Sequence, residues 1–198
     1  MPPKPKITKD MVVNAAFEIA RTEGAEHINA RAISKQLGCS TQPVMYLFPK
    51  MEDIKREVYA KADAYHSTYI TNVPDSSNNP MLSIGLLYIR FAVEEQHLFR
   101  FLFQSNQFSK QSFFDLIDAE ELEPVLAVLQ QATQTDREQA KDIFLSIFLP
   151  VHGYASMLAN NSMEYDEASI ASHLEKAFQG AICVAKMSNT GNIGGEIQ

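Results

Sequence analysis

The chain is expected to be all-α, with about nine helices. Three observations predict this. Apolar residues recur at helical spacing along most of the chain. Start and stop residues such as Thr8 with Gly24 and Asn29 with Gly38 bracket those runs. Neither a repeated period-2 alternation nor an Asn-Gly or Asp-Gly hairpin turn occurs. The composition agrees: 45% of the 198 residues are apolar and 21% charged, near the globular average, so the chain has enough apolar mass for a sizeable core.

The first helix is expected over about Lys9–Glu23. Thr8 caps it, Ile7 packs on Val12 as a staple, and Gly24 ends it in a left-handed conformation. Its apolar stripe is Val12, Ala15, Ala16, Ile19 and Ala20. A short second helix follows the cap Asn29 and ends at Leu37, before Gly38. Ser40 then caps a third, Thr41–Leu47, where Pro43 takes the third position and costs no intrahelical hydrogen bond.

A fourth helix is expected over about Met51–Thr71, with Ile54, Val58, Ala62, Tyr65 and Tyr69 on its apolar side. The turn-forming run Asn72–Pro80 reads as a linker. Beyond it lie Met81–Glu95, His97–Gln104, and Lys110–Gln134, the last kinked or divided at Pro124. Thr135 and Glu138 form a capping box opening a helix to about Asn160, with a kink expected at Pro150. Asp166 caps the last helix, to about Met187, whose apolar side is Ile170, Leu174, Ala177, Phe178, Ala181 and Val184. The tail from Ser188 is expected to fray.

The segment Ala30–Leu47 has the pattern of a helix-turn-helix. Apolar Ile33 and Leu37 lie one turn apart. Ser34 is small where the second helix must approach, and Gly38 stands where the turn needs positive φ. Cys39, Val44 and Leu47 face a small core. In such a motif the second helix enters the DNA major groove, with its N-terminal residues nearest the base edges. Thr41 and Gln42 are therefore the base-reading candidates, because glutamine pairs bidentately with adenine and threonine offers a hydroxyl and a methyl. Tyr46, one turn on, reaches a phosphate or a base. Ser40, Lys50, Asn29 and Arg31 suit phosphate contacts, and Lys4, Lys6 and Lys9 form a basic arm.

The motif and its flanks resemble the TetR family of transcriptional repressors. The likeness lies in ITKDMVVNAAFEIARTEG, RAISKQLGCS and TQPVMYLFPKMEDI, covering about Ile7–Ile54. EEQHLFRFLF (Glu94–Phe103) and FLPVHGYASML (Phe148–Leu158) are similar to a subgroup with a His-Gly element in its C-terminal domain, although the tryptophan typical of that element is absent. Two head positions also depart: Met45 stands where the family usually has tyrosine, and Met51 where it has lysine. Tyr46 and Lys50 are adjacent and would supply those contacts from shifted positions.

The resemblance implies a DNA-binding head over residues 1–50, a connecting helix over 51–72, a ligand-binding and dimerisation body over 80–187, and a flexible tail over 188–198. It further implies a homodimer built from the last two long helices, about Asp136–Asn160 and Glu167–Met187. Such a dimer would bind a pseudo-palindromic operator with half-sites about 34–36 Å, or a multiple, apart. A small apolar or aromatic effector, bound by Phe103, Phe114, Phe148 and His152, would release the repressor. No cofactor or metal is expected. The rival reading is a helical adaptor without DNA binding.

Charge distribution fits the division. The whole chain carries a formal −7, which argues against a protein that coats nucleic acid. Residues 1–62 carry +3 and the rest −10, so the basic part coincides with the helix-turn-helix.

No HExxH, GxSxG, P-loop or GxGxxG before a helix points to an enzyme. Cys39 and Cys183 lie far apart, and no signal peptide is discernible. The most apolar stretch, Ile143–Leu158, is broken by Pro150, His152 and Gly153 and is expected to be a buried helix rather than a membrane span. A cytoplasmic protein is the expectation.

Overall fold

A computed structural model of the chain describes residues 7–73, 79–105 and 122–191, with side chains as far as Met187. The described residues are all-helical, with nine α-helices and one short 3-10 turn, as expected. They are α1 (Lys9–Thr22), α2 (Ala30–Gln36), α3 (Thr41–Leu47), α4 (Met51–Thr71), α5 (Pro80–Glu94), α6 (Gln96–Phe103), α7 (Glu123–Thr133), α8 (Arg137–Asn160) and α9 (Glu167–Gly191). The chain packs as two compact units. One joins Met1–Asn72 with Phe91–Gln107, and the other joins Val73–Arg90 with Phe108–Gln198.

In the N-terminal unit the caps follow from local sequence. Thr8 Oγ1 accepts from the Met11 N–H at 3.2 Å, and Asn29 Oδ1 accepts from the Ala32 N–H at 2.9 Å. Ser40 occupies the capping position of α3 in extended backbone, but its hydroxyl makes no capping hydrogen bond. Gly24 has the expected positive φ of 107°, though with ψ at 152° rather than a left-handed helical value. That glycine-only conformation leads into the 3-10 turn Ala25–His27, which helical periodicity is too coarse to find. Gly38 holds the tight turn between α2 and α3 at φ 63°.

The core of this unit is Val12, Ala16, Ile19 and Ala20 of α1, Ile33 of α2, Val44 and Phe48 around α3, and Ile54, Val58 and Ala62 of α4. Leu98, Phe99 and Leu102 of α6 add to it, because α6 packs on both α1 and α4. The buried row on α4 continues to His66, one turn past Ala62, and not to Tyr65. Tyr65 and Tyr69 stay half-buried, and their hydroxyls donate to Glu95 Oε1 at 2.9 Å and Glu94 Oε2 at 2.6 Å. The His66 ring is held edge-on between Phe91 and Phe103, with centroids at 4.8 and 5.0 Å. Burial lowers its pKa to about 4, so it is a neutral core side chain at pH 7.

In the C-terminal unit, two sequence expectations change. Of the expected helical stretch Lys110–Gln134, residues 110–121 lie outside the described residues, and Pro124 lies in the first turn of α7, where proline starts a helix, which fits the expected division there rather than a kink. The capping box of α8 is one residue later than expected. Asp136 Oδ1 accepts from the Gln139 N–H at 2.9 Å, and Gln139 returns its side-chain oxygen to the Asp136 N–H at 3.2 Å. Thr135 is drawn away by a 2.7 Å hydrogen bond between its hydroxyl and that of Thr133. The last helix opens on Asp166 as expected and continues to Gly191, so residues 188–191 belong to the helix rather than to a tail.

Helix α8 packs on α7 and α9 through Ala140, Ile143, Ile147, Val151, Ala155 and Leu158, a stripe at three- and four-residue spacing. By length and composition it is also the one helix among the described residues apolar enough to cross a membrane, and 33% of that apolar window is buried. The expected burial therefore holds for one face only. Leu149 and Met157 of α8 are about half exposed. On α9, Ile170 and Leu174 are buried, but Val184 is 65% exposed, so the expected apolar side does not run straight to the end. Ala185 takes the inward position beside it. Arg90 donates to Glu167 Oε2 at 2.6 Å and Tyr165 donates to the same oxygen at 2.7 Å, and these bonds hold the Glu167 carboxyl below its usual range.

Candidate nucleic-acid interface

Helices α2 and α3 pack against each other across the Gly38 turn. Ile33 and Val44 are fully buried beneath them, and Ser34 is buried with its hydroxyl donating to Ala30 O at 2.6 Å. That internal hydrogen bond satisfies the hydroxyl, so a small polar residue sits in the core without cost. Cys39 and Leu47 are half-buried at the edge. Phe48, just past α3, closes the core from below, with the Lys9 ammonium 5.4 Å from its ring centroid. Lys9 is thus an α1 residue laid over an aromatic ring and not part of an arm. Lys4 and Lys6 lie outside the described residues.

With Ile33, Val44 and Phe48 turned in, the opposite side of α3 turns out. Thr41, Gln42, Met45 and Tyr46 are all exposed, and Tyr46 is 84% exposed. Thr41 with Met45 and Gln42 with Tyr46 form two adjacent rows at four-residue spacing. At that exposure Tyr46 takes no part in the head core. Met45 completes the face and was missed as a site candidate, although its spacing from Thr41 carried the signal.

The other four candidates are exposed as well. Ser40 precedes α3, Asn29 and Arg31 stand at the N-terminal end of α2, and Lys50 precedes α4. Among the described residues, neither Arg31 nor Lys50 has an ion-pair partner. Asn29 is committed twice, capping α2 through Oδ1 and donating through Nδ2 to His27 O at 2.9 Å. It is therefore a structural cap first.

No protein-family model matches the chain, and no curated protein matches it.

The four candidates for an effector site are divided. Phe148 and His152 come together in the C-terminal unit. Phe144, Phe148 and His152 stack in turn along α8, with centroids 5.6 and 5.7 Å apart. The Tyr88 hydroxyl and His152 Nδ1 share a 2.9 Å hydrogen bond, and the Tyr88 ring stands edge-on to Phe148 at 6.2 Å. Burial lowers the His152 pKa and raises that of Tyr88, so both are neutral at pH 7. Phe103 belongs to the N-terminal unit, where it packs on His66 and Phe99. Phe114 lies outside the described residues. Tyr88 is the partner that sequence alone did not offer, since it stands 64 residues from His152.

Proposed function

We propose that the chain is a transcriptional regulator of the TetR type, a repressor that binds a pseudo-palindromic operator as a homodimer and leaves it when a small molecule binds the C-terminal unit. The observation that carries this reading is the outward face of α3. A helix of seven residues turns Thr41, Gln42, Met45 and Tyr46 to solvent above a closed core, and Arg31 of α2 and Lys50 before α4 are exposed with no ion-pair partner among the described residues. That outward face combines the polar Thr41 and Gln42 with the exposed ring of Tyr46, groups able to meet base edges and phosphates.

The homodimer has separate support. Leu149 and Met157 of α8 and Val184 and Met187 of α9 are exposed large apolar side chains on the two helices expected to pair. Between α8 and α9 runs a groove of about 370 Å³, lined by Ile143, Ser146, Ala177, Gly180, Ala181 and Val184. Small residues there admit the side chains of a second copy. The stacked Phe144, Phe148 and His152 with Tyr88 offer aromatic faces and one polar handle to an effector. To act as an inducer, that effector must bind the DNA-incompetent state more tightly.

The test is a gel shift with the DNA upstream of the chain's own gene. Wild type is expected to retard it and Gln42→Ala is not. Equal retardation by both would remove α3 as the reader.

A further inference from the structure

We propose that Met45 is a specificity-determining residue of α3, which reads the C5-methyl group of a thymine beside the adenine that Gln42 recognises. This role rests on α3 being a DNA-recognition helix, and it names the base pairs that such a helix selects.

Val44 is fully buried and Phe48, just past the helix, is 5% exposed, and the two fix which side of α3 turns inward. At 3.6 residues per turn, Gln42 then stands at the middle of the outward side. Thr41 and Met45 lie on one flank of it and Tyr46 on the other. Thr41 and Met45 are one turn apart, so the threonine methyl and the methionine thioether succeed one another beside the Gln42 amide. Among the described residues of the N-terminal unit, the exposed large apolar side chains are Met45 and Tyr46, both on this face. The formal +3 carried by residues 1–62 suits a polyanionic partner.

The chemistry of the major groove decides what an apolar flank meets there. Base edges present hydrogen-bond donors and acceptors, and one apolar group, the C5-methyl of thymine. Against an amino or carbonyl edge, a thioether strips water from a polar group and returns no good hydrogen bond, which costs affinity. Against a thymine methyl, both partners leave water and gain. Methionine is unbranched and polarizable, so it can settle on a methyl in more than one rotamer. The Gln42 amide pairs bidentately with adenine N6 and N7, and that sets the place. The methyl read by Met45 belongs to the thymine of that A·T pair or of a neighbouring one. Cytosine offers an N4 amino group and no methyl, so the flank selects thymine over cytosine.

The test takes the tightest duplex that the full chain selects from a randomised pool. Each thymine is replaced in turn by deoxyuridine, which removes the methyl and leaves the hydrogen-bonding edge. Wild type should lose about threefold to tenfold in affinity at one or two thymines, the worth of one buried methyl. Met45→Ala should bind the parent duplex weaker by a similar factor and be indifferent to deoxyuridine at those positions. Met45→Leu stays apolar at similar volume and should keep the methyl dependence, whereas Met45→Gln should lose it. Equal affinity of wild type for every deoxyuridine duplex overturns this role of Met45. So does a methyl dependence that persists at the same positions in Met45→Ala. Both outcomes leave α3 as a DNA reader. If wild type retains no duplex from the pool, the regulator falls and this role of Met45 with it.

Discussion

The guanidinium of Arg21 grips the carboxylate of Glu95 with two nitrogens, Nη2 at 2.5 Å from Oε1 and Nε at 2.8 Å from Oε2. Glu95 is buried at the capping position of α6, and the Tyr65 hydroxyl of α4 donates to the same Oε1. One carboxylate therefore joins α1, α4 and α6. Its hydrogen bond to Arg21 raises the guanidinium pKa further. Burial, then the bond to Glu95, pushes the Tyr65 hydroxyl up. Arg21→Ala would leave this buried charge without its main partner. A fully buried pair broken on one side costs roughly 3–5 kcal/mol. Because the Arg21 side chain is 38% exposed and water can replace part of it, about 1–3 kcal/mol is expected. Urea unfolding measures the loss, and adding Glu95→Gln should recover part of it. A loss below about 0.5 kcal/mol would mean that the clasp is merely decorative.

His66 gives the N-terminal unit a pH dependence of known sign. Its folded pKa is about 4, against roughly 6.5 in an unfolded chain. The unfolded state therefore binds the proton first as pH falls. Stability is full above about pH 6.5 and is lost progressively down to about pH 4, by roughly 3 kcal/mol over the whole interval. His66→Phe keeps an aromatic ring between Phe91 and Phe103 and removes the titration. Its stability curve should be flatter than that of wild type over this interval, and parallel curves would contradict the burial of a neutral imidazole.

Operator binding should weaken with salt. Each phosphate contact contributes about 0.9 to the slope of log affinity against log salt. Arg31→Ala and Lys50→Ala should each lower the slope by about one without changing which sequence is preferred. Fluorescence anisotropy from low to moderate salt measures both, and slopes equal to wild type would make these two cations solvated surface groups only.

Exposed Val184 and Leu149 make the self-association prediction sharp. Val184→Asp with Leu149→Glu puts two charges on the surface that the proposed dimer covers. Sedimentation should show wild type as a dimer and the double variant as a monomer of unchanged helicity. A monomeric wild type at micromolar concentration would rule out the dimer.

The legible parts of this fold are the local ones. Thr8, Asn29 and Asp166 act as caps because a cap and its target N–H lie three residues apart, and the α2–α3 turn shows in Gly38 for the same reason. At the start of α8 two boxes overlap, Thr135 with Glu138 and Asp136 with Gln139. The choice falls to the second because the Thr135 hydroxyl is engaged by Thr133. Contacts between distant segments left no such trace. Glu95 meets Arg21 across 74 residues, and Tyr88 meets His152 across 64. His66 was hidden differently: its place in the row Ile54, Val58, Ala62 is regular, but a polar residue type masked it. On α3, the face of Thr41, Gln42 and Tyr46 was legible because Val44 fixed which side must turn inward.

Whether α3 reads DNA is decided by the affinity of wild type, Gln42→Ala and Tyr46→Ala for the upstream DNA and for scrambled DNA of equal length. Wild type should prefer the upstream sequence by about a thousandfold or more. Each variant should lose about 1–3 kcal/mol of that preference while keeping the binding to scrambled DNA. Equal affinity of all three proteins for both DNAs would show that α3 does not read sequence.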